Sequence, residues 1–198
     1  MSLQKSVWGN KAFGGYAGLK FTASIIKEYI PKSKIYVEPF AGLGRTVESK
    51  HDKVILNDKS DYAVSYLKSH FPFAEVTQED FEECIVKHDS EDTFYLIDPP
   101  YANNVYALNE KCFIDRDYRD YYKQLANILP KLQGSWIVCI NERNYHRFVK
   151  SLFPTSNSLN IKSKKNSLFG LKANVRIISN KQLISNQITL LTDSEGKN

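Results

Sequence analysis

Apolar and polar positions along the chain switch repeatedly between the spacing of helices and the spacing of strands. Between residues 20 and 29, apolar side chains from Phe21 to Tyr29 recur at helical spacing, and Pro31 ends the predicted helix. Further helical patterns fall at residues 62–71, 117–129 and 145–153. Short apolar runs predict strands at residues 35–37, 53–56, 75–77, 93–97 and 135–140, and a closing hairpin at 161–164 and 175–178 around Gly170.

This alternation is typical of an α/β fold with a mainly parallel sheet. Residues 93–97 read TFYLI, which predicts a central strand buried on both faces. We expect residues 1–192 of the 198-residue chain to form a single catalytic domain, with residues 193–198 as a disordered tail.

The composition, with 42% hydrophobic and 25% charged residues, is that of a soluble globular protein. No apolar run approaches the ~20 residues of a membrane span, and the first residues lack the apolar stretch of a secretory signal. The three cysteines are odd in number and widely spaced, so they predict neither a disulfide framework nor a zinc site. The lack of a predicted disulfide framework favours a cytoplasmic location. The histidines are also scattered, so we expect no metal site; the residues concerned are Cys84, Cys112, Cys139, His51, His70, His88 and His146.

Positive charge is concentrated in the last third of the chain. No Asp or Glu occurs from Arg143 to Thr192, a stretch that holds nine lysines and arginines. Such asymmetry is typical of a surface that meets a polyanion, although a solvated basic face without a partner fits equally well.

The first candidate for chemistry is the loop Glu38-Pro39-Phe40-Ala41-Gly42-Leu43-Gly44, which follows the first predicted strand. Its glycines allow a tight turn and a close approach of a ligand to the backbone. Asp58 follows the second strand and could accept hydrogen bonds from both hydroxyls of a ribose. The loop lacks the glycine spacing that cradles a pyrophosphate, which favours a nucleoside without phosphates over NAD or ATP.

The second candidate is Asp98-Pro99-Pro100-Tyr101, directly after the central strand. Two prolines stiffen the backbone, so Asp98 and the Pro99 carbonyl become fixed acceptors beside an aromatic ring. This arrangement suits a planar group with an amino nitrogen, whereas the alternative is a turn with a capping Asp. A third, weaker candidate is the glycine-rich stretch at residues 13–20, which could touch a cofactor or simply lead into the helix.

Together these segments resemble the S-adenosylmethionine-dependent DNA adenine-N6 methyltransferases, in the group whose cofactor motif precedes the catalytic motif. The stretch from Tyr16 to Lys20 occupies the place of the family's Trp-Ala-Gly-Gly-Lys, with Tyr in place of Trp. Glu79-Asp80-Phe81 resembles the segment that holds the cofactor's adenine. The resemblance covers residues 13–180.

The resemblance implies a Rossmann-like methyltransferase fold, with a mainly parallel seven-stranded sheet, a closing antiparallel hairpin and helices on both faces. It implies S-adenosylmethionine as cofactor and DNA as partner, with a flipped-out adenine as the methyl acceptor in DNA methylation or restriction-modification. The implied catalytic residues are Asp98, Pro99, Pro100 and Tyr101. The implied cofactor-binding residues are Tyr16, Lys20, Glu38, Phe40, Gly42, Gly44, Asp58, Asp80, Phe81 and Asp98.

One departure from the family concerns target recognition. Only sixteen residues separate Phe81 from Asp98, an interval in which family members carry a target-reading domain. DNA contact would then depend on residues 102–119, on the basic segment or on a separate specificity or restriction partner. The predicted nucleic-acid-binding residues are Lys162, Lys164, Lys165, Lys172 and Arg176.

Two other functions remain open at the level of sequence. Ribosomal guanine-N2 methyltransferases share an Asp-Pro-Pro-aromatic motif on a similarly small fold, so an RNA base, guanine at N2 or adenine at N6, is the alternative substrate. A binding module that has lost turnover is the third reading, which intact Gly42, Asp58, Asp98 and Tyr101 disfavour.

Overall fold

A computed structural model describes residues 19–100, 117–162 and 174–185. Its centre is one seven-stranded sheet with the strand order β3-β2-β1-β4-β5-β7-β6. The strands are β1 Ile35–Glu38, β2 Lys53–Asn57, β3 Glu75–Thr77, β4 Thr93–Ile97, β5 Ser135–Asn141, β6 Asn157–Lys162 and β7 Asn174–Ser179. The helices are α1 Leu19–Ile26, α2 Asp61–His70, α3 Phe81–Lys87, α4 Tyr118–Ile128, α5 Glu142–Asn144 and α6 Lys150–Leu152.

Five strands of the sheet are parallel and the last two close it as an antiparallel hairpin. Strand β1 pairs in parallel with β2 on one side and β4 on the other, and β4 pairs in parallel with β5. Strand β7 runs antiparallel to both β5 and β6. The predicted fold, a mainly parallel Rossmann-like sheet of seven strands with a closing antiparallel hairpin, is therefore confirmed.

Alternate residues of the central strands face two separate hydrophobic cores, which is why these strands are apolar throughout. Tyr36 packs in one core with Ile26 of α1 and Leu67 of α2. Its neighbour Val37 packs in the other core, with Phe81 of α3 and Tyr121 of α4. Helices thus cover both faces of the sheet, and polar groups of β1, β2 and β4 reach a ligand only at the strand ends.

The structure also contains elements that the pattern of apolar residues does not predict. Helix α3 begins after Asp80, whose carboxylate accepts a hydrogen bond of 3.1 Å from the backbone N–H of Glu82. Between α5 and α6 the chain forms a short π-helix at Tyr145–Val149. Strand β6 begins at Asn157, four residues before the prediction, because hydrogen bonding to β7 extends through its polar first half. No helix in the described part of the chain combines the length and the apolar character needed to cross a membrane.

Candidate active site

The candidate site lies at the carboxyl ends of β1, β2 and β4. These neighbouring strands are parallel, so Glu38, Asp58 and Asp98, which end or follow them, lie along one edge of the sheet. The chain leaves β1 towards β2 on one side and reaches β4 on the other, which is the switch point where α/β sheets bind ligands.

Glu38 is the most deeply buried acid of this edge, with only 4% of its surface exposed. Its Oε1 accepts hydrogen bonds from the hydroxyl groups of Tyr36 and Thr46. Burial raises the pKa of Glu38 to about 7, and the nearby charge of Asp98 adds to the rise while the two hydroxyl donors oppose it. Glu38 can therefore change its charge near neutral pH.

A small pocket joins Glu38 to Asp98. Its lining includes Glu38, Phe40, Arg45, Thr46, Asp98 and Cys139. Its volume of about 30 Å³ holds two or three groups of the size of water, for which ~10–15 Å³ each is enough. The pocket suits a small polar end group, and a nucleoside would lie across the loops above it.

The loop after β1 turns at two glycines with positive φ. Gly42 has a φ of 52° and Gly44 a φ of 61°, a left-handed conformation that favours glycine. A Cβ at Gly44 would lie 2.7 Å from Cε2 of Phe71. The turn therefore requires glycine for its backbone and for its close contact with the end of α2.

Asp58 ties this turn to the end of β2. Its Oδ2 accepts a 2.8 Å hydrogen bond from the backbone N–H of Gly42, and its Oδ1 accepts a 2.9 Å bond from the N–H of Ser60. Burial raises the pKa of Asp58, an effect that the two backbone donors oppose. Each oxygen keeps a lone pair beyond these bonds, which is what binding of a ribose diol requires.

Asn57 is a positioning residue that the sequence reasoning did not assign. Only 1% of it is exposed, and its amide nitrogen donates to the carbonyls of Pro39 at 3.0 Å and Glu79 at 3.1 Å. Its oxygen accepts from the hydroxyl of Thr77 at 2.9 Å and the N–H of Glu79 at 2.7 Å. The sequence feature that could have identified Asn57 is its position as a single polar residue at the end of an apolar strand.

Aromatic rings link the first loop to α3. The rings of Phe40 and Phe81 lie 4.9 Å apart, and Tyr121 lies 5.7 Å from each. Phe81 is 3% exposed, so it contributes to the core, and Phe40 is the partly exposed ring of the pair. Asp80 caps α3 and lies 3.7 Å from the ammonium of Lys59.

Asp98, Pro99 and Pro100 follow β4 directly. Asp98 and Pro100 are partly exposed, whereas Pro99 is buried. Tyr16, Tyr101, Lys164, Lys165 and Lys172 lie outside the described residues, and the side chains of Lys20 and Lys162 are not described. The roles assigned to these residues stay predictions.

Arg176 has a partner within the fold. Its guanidinium donates to both carboxylate oxygens of Glu142, at 2.6 and 2.7 Å, and lies 4.4 Å from the ring centre of Tyr145. Only 16% of its side chain is exposed. The pair with Glu142 and the low exposure leave little of the guanidinium for a phosphate, so the geometry disfavours Arg176 as a nucleic-acid contact.

Solved structures of low sequence identity share this architecture, whereas no family model and no curated protein matches the sequence. A candidate methyltransferase from Streptococcus mutans, in complex with SAH, matches with a TM-score of 0.54 and 13% identity over 82% of this chain and 97% of that chain. A predicted O-methyltransferase from Agrobacterium tumefaciens matches with a TM-score of 0.51 and 12% identity, over 81% of each chain. A protein from Thermoplasma acidophilum matches with a TM-score of 0.51 and 9% identity, over 82% and 83%.

The chain has the fold of these proteins. At such low identity the likeness concerns the fold alone, and function has to be argued from the site.

Proposed function

We propose that this protein is an S-adenosylmethionine-dependent methyltransferase that acts on the exocyclic amine of adenine in DNA. The main support is the convergence of Glu38, Asp58 and Asp98 at the switch point of a methyltransferase-like sheet. The structural neighbour from Streptococcus mutans was solved with SAH, the demethylated form of that cofactor, which agrees with the proposed cofactor.

The described residues suit this cofactor in three respects. The Asp58 carboxylate is held by two backbone donors, with lone pairs left for the ribose hydroxyls. Gly42 carries no side chain where the ligand would cross the turn, and Gly44 allows the turn its positive φ. Glu38 lines a small pocket that suits a short polar end group, and its carboxylate would favour a positively charged one.

The proposed chemistry depends on the segment after β4. When bound, S-adenosylmethionine supplies a methyl group on a positively charged sulfur. The Asp98 carboxylate and the Pro99 carbonyl would each accept an N–H of the target amine, which directs the nitrogen lone pair towards that methyl group. Tyr101 would stack on the base, a contact worth ~1–3 kcal/mol in other base–aromatic pairs. Orientation of the amine would then supply much of the rate.

The nucleic-acid side of the proposal follows from charge and from chain length. An adenine inside a duplex has to be flipped out to reach Asp98, at a cost of a few kcal/mol. Between Phe81 and Asp98 the chain forms only α3 and β4, with no inserted domain that could read a sequence. We therefore expect contact through the phosphate backbone and loose or very short sequence specificity.

A methyl-transfer assay tests the proposal. The purified chain is incubated with methyl-labelled cofactor and, in parallel, with adenine-containing DNA, ribosomal RNA or transfer RNA. The product is then digested to nucleosides. We expect the label only in N6-methyldeoxyadenosine, the product from DNA.

Each other outcome has a defined meaning. Label in guanine-N2 or adenine-N6 of RNA alone would replace the DNA substrate with the alternative RNA substrate and retain the chemistry. Cofactor binding without transfer to any of the three acceptors would favour a binding module, and no cofactor binding would contradict the proposal as a whole.

A further inference from the structure

The fold brings together three metal-binding side chains that are separated along the sequence. Glu79 precedes α3, Cys84 lies within it, and His88 is the residue that follows it. One ligand atom from each residue lies within 4.8 Å of the other two. The scattered histidines and cysteines predicted no such cluster, and the missed signal was the spacing of Cys84 and His88, four residues apart on a helix face.

Two of the three side chains carry a buried polar atom without a hydrogen-bond partner among the described residues. These atoms are Glu79 Oε2 and His88 Nε2, and no residue of the ranges 19–100, 117–162 and 174–185 forms a hydrogen bond with either. Cys84 is fully buried and forms no disulfide. Buried polar atoms are normally paired, so two orphaned atoms beside one thiol point to a ligand that satisfies them.

The cluster is held by contacts that leave these atoms available. The other carboxylate oxygen of Glu79, Oε1, accepts a 2.6 Å hydrogen bond from Lys87. The backbone of Glu79 is fixed by Asn57, through both its N–H and its carbonyl. Such supporting contacts orient ligands in metal sites.

We propose that Glu79, Cys84 and His88 bind one zinc ion, with water in the fourth position. Thiolate, imidazole and carboxylate are the ligands that zinc takes, at bond lengths of ~2.0–2.3 Å. Tetrahedral coordination at those lengths separates ligand atoms by about 3.5 Å. Side-chain movements of about 1 Å would bring the three atoms from their present spacing to coordination.

The lysines near the cluster do not oppose binding of a zinc ion. Lys87 is paired with Glu79, and Lys53 is paired with Glu75 at 2.8 Å, so both nearby lysines have carboxylate partners. Asp80 and Phe81 lie between the first two ligands in sequence. A bound ion would therefore fix the start of α3 against the segment that follows β3.

Cobalt titration tests the site on the full chain after treatment with a chelator. Bound Co²⁺ should give a thiolate-to-metal charge-transfer band that saturates at one ion per chain and disappears when Zn²⁺ is added. Cys84→Ser should abolish the band, and His88→Gln should weaken Co²⁺ binding at least tenfold. His70→Gln and Cys139→Ala, which alter a histidine and a cysteine outside the cluster, should retain it.

A second measurement uses the unmodified sequence and avoids any folding defect of the variants. Because Cys84 is fully buried, a reagent reaches it only when the fold opens locally; this alkylation, followed by mass spectrometry, should slow at least tenfold with Zn²⁺ and recover when the ion is chelated. The proposal is overturned if the wild-type chain shows no thiolate band, if the band persists in a folded Cys84→Ser variant, or if Zn²⁺ leaves the alkylation rate of Cys84 unchanged.

Discussion

The carboxylate of Asp58 accepts a hydrogen bond of 2.8 Å from the backbone N–H of Gly42. These residues follow two adjacent parallel strands, so the acid after β2 fixes the turn after β1. The same carboxylate is our candidate for the ribose hydroxyls. Loop structure and proposed ligand binding thus depend on one side chain.

Replacement of Asp58 should weaken cofactor binding while the fold persists. In Asp58→Asn the amide nitrogen is a donor, so it cannot accept from both Gly42 and Ser60, and the negative charge near the ribose is lost. We expect affinity for S-adenosylmethionine to fall by about 1.5–3 kcal/mol, the usual value for a hydrogen bond to a charged group. Calorimetry measures this change. Asp52→Asn, at the opposite end of β2, is the matched control and should bind like wild type.

Asp98 should affect turnover far more than cofactor affinity. Its proposed contact is with the amine of the target base, so Asp98→Ala should reduce methyl transfer at least 100-fold with cofactor binding still measurable. Initial rates with labelled cofactor, together with calorimetry, separate the two effects. Asp92→Asn provides a control because Asp92 precedes the same strand at its other end and pairs with exposed Lys34. Turnover of Asp98→Ala within a few-fold of wild type would remove Asp98 from the catalytic role.

Glu38 should make the free energy of unfolding depend on pH. Its pKa in the folded chain is about 7, above the ordinary 4.5, so the folded state retains a proton that the unfolded state loses between these values. Stability should therefore fall as the pH rises from 4.5 to 7, by about 3 kcal/mol for this group. Glu38→Gln should remove that loss, so its advantage over wild type grows across this interval and is constant above it.

Glu142 should change the free energy of unfolding with pH in the direction opposite to Glu38. Its pairing with Arg176 holds the pKa of Glu142 below the ordinary value. The stabilisation of the folded state by Glu142 is therefore present above pH 4.5 and is lost as the pH falls through the pKa of the folded protein. Glu142→Gln should therefore be less stable than wild type at neutral pH, with a difference that shrinks in acid. Denaturant unfolding at a series of pH values measures both variants. Parallel pH profiles for wild type and Glu38→Gln would contradict the shifted pKa of Glu38.

Gly44→Ala should destabilise the protein by about 1–3 kcal/mol, the usual range for a non-glycine residue held at positive φ. The added Cβ would also press on the ring of Phe71. Gly134→Ala is a matched control, because Gly134 directly precedes β5 and its Cβ would lie 2.8 Å from the carbonyl oxygen of Thr93, the first residue of β4. Chemical denaturation should show a loss in both variants. Only Gly44→Ala should also weaken cofactor binding to the folded protein, and an equal effect of the two on binding would argue against the turn as part of the site.

The basic segment should govern the salt dependence of DNA binding. Replacement of Lys162, Lys164 and Lys165 with Gln removes three candidate phosphate contacts, each worth about −0.9 in the slope of log affinity against log salt on duplex DNA. The slope should flatten by about two to three, equally for all sequences. Arg176→Gln should leave the slope unchanged and lower stability, because Arg176 pairs with Glu142. A triple variant with an unaltered slope would place the DNA surface elsewhere.

The strands and the acids after them could be predicted from sequence because both follow from local pattern. Residues 75–77 and 93–97 coincide with β3 and β4. Parallel strands end at a common edge, so Asp58 and Asp98 could be placed near each other without coordinates.

Contacts between distant segments could not be predicted in this way. The pairing of Arg176 with Glu142 joins residues 34 apart along the chain, and nothing near Arg176 in the sequence indicates a partner. Asn57 likewise binds backbone groups of two other loops, which exist only after the sheet has formed. Helix α3 is only seven residues long, so the helical spacing of its buried Phe81, Cys84 and Ile85 gave too short a periodic signal.

The order of strands in the sheet has a consequence for how the protein folds. The proposed site draws on residues 38, 58 and 98, and their loops meet only when β1 has paired with both β2 and β4. Parallel pairs close long stretches of chain, an entropic cost that slows folding. A ligand that bridges these loops has nothing to bind until the sheet is built. Such a ligand should therefore slow unfolding and leave the rate of folding unchanged.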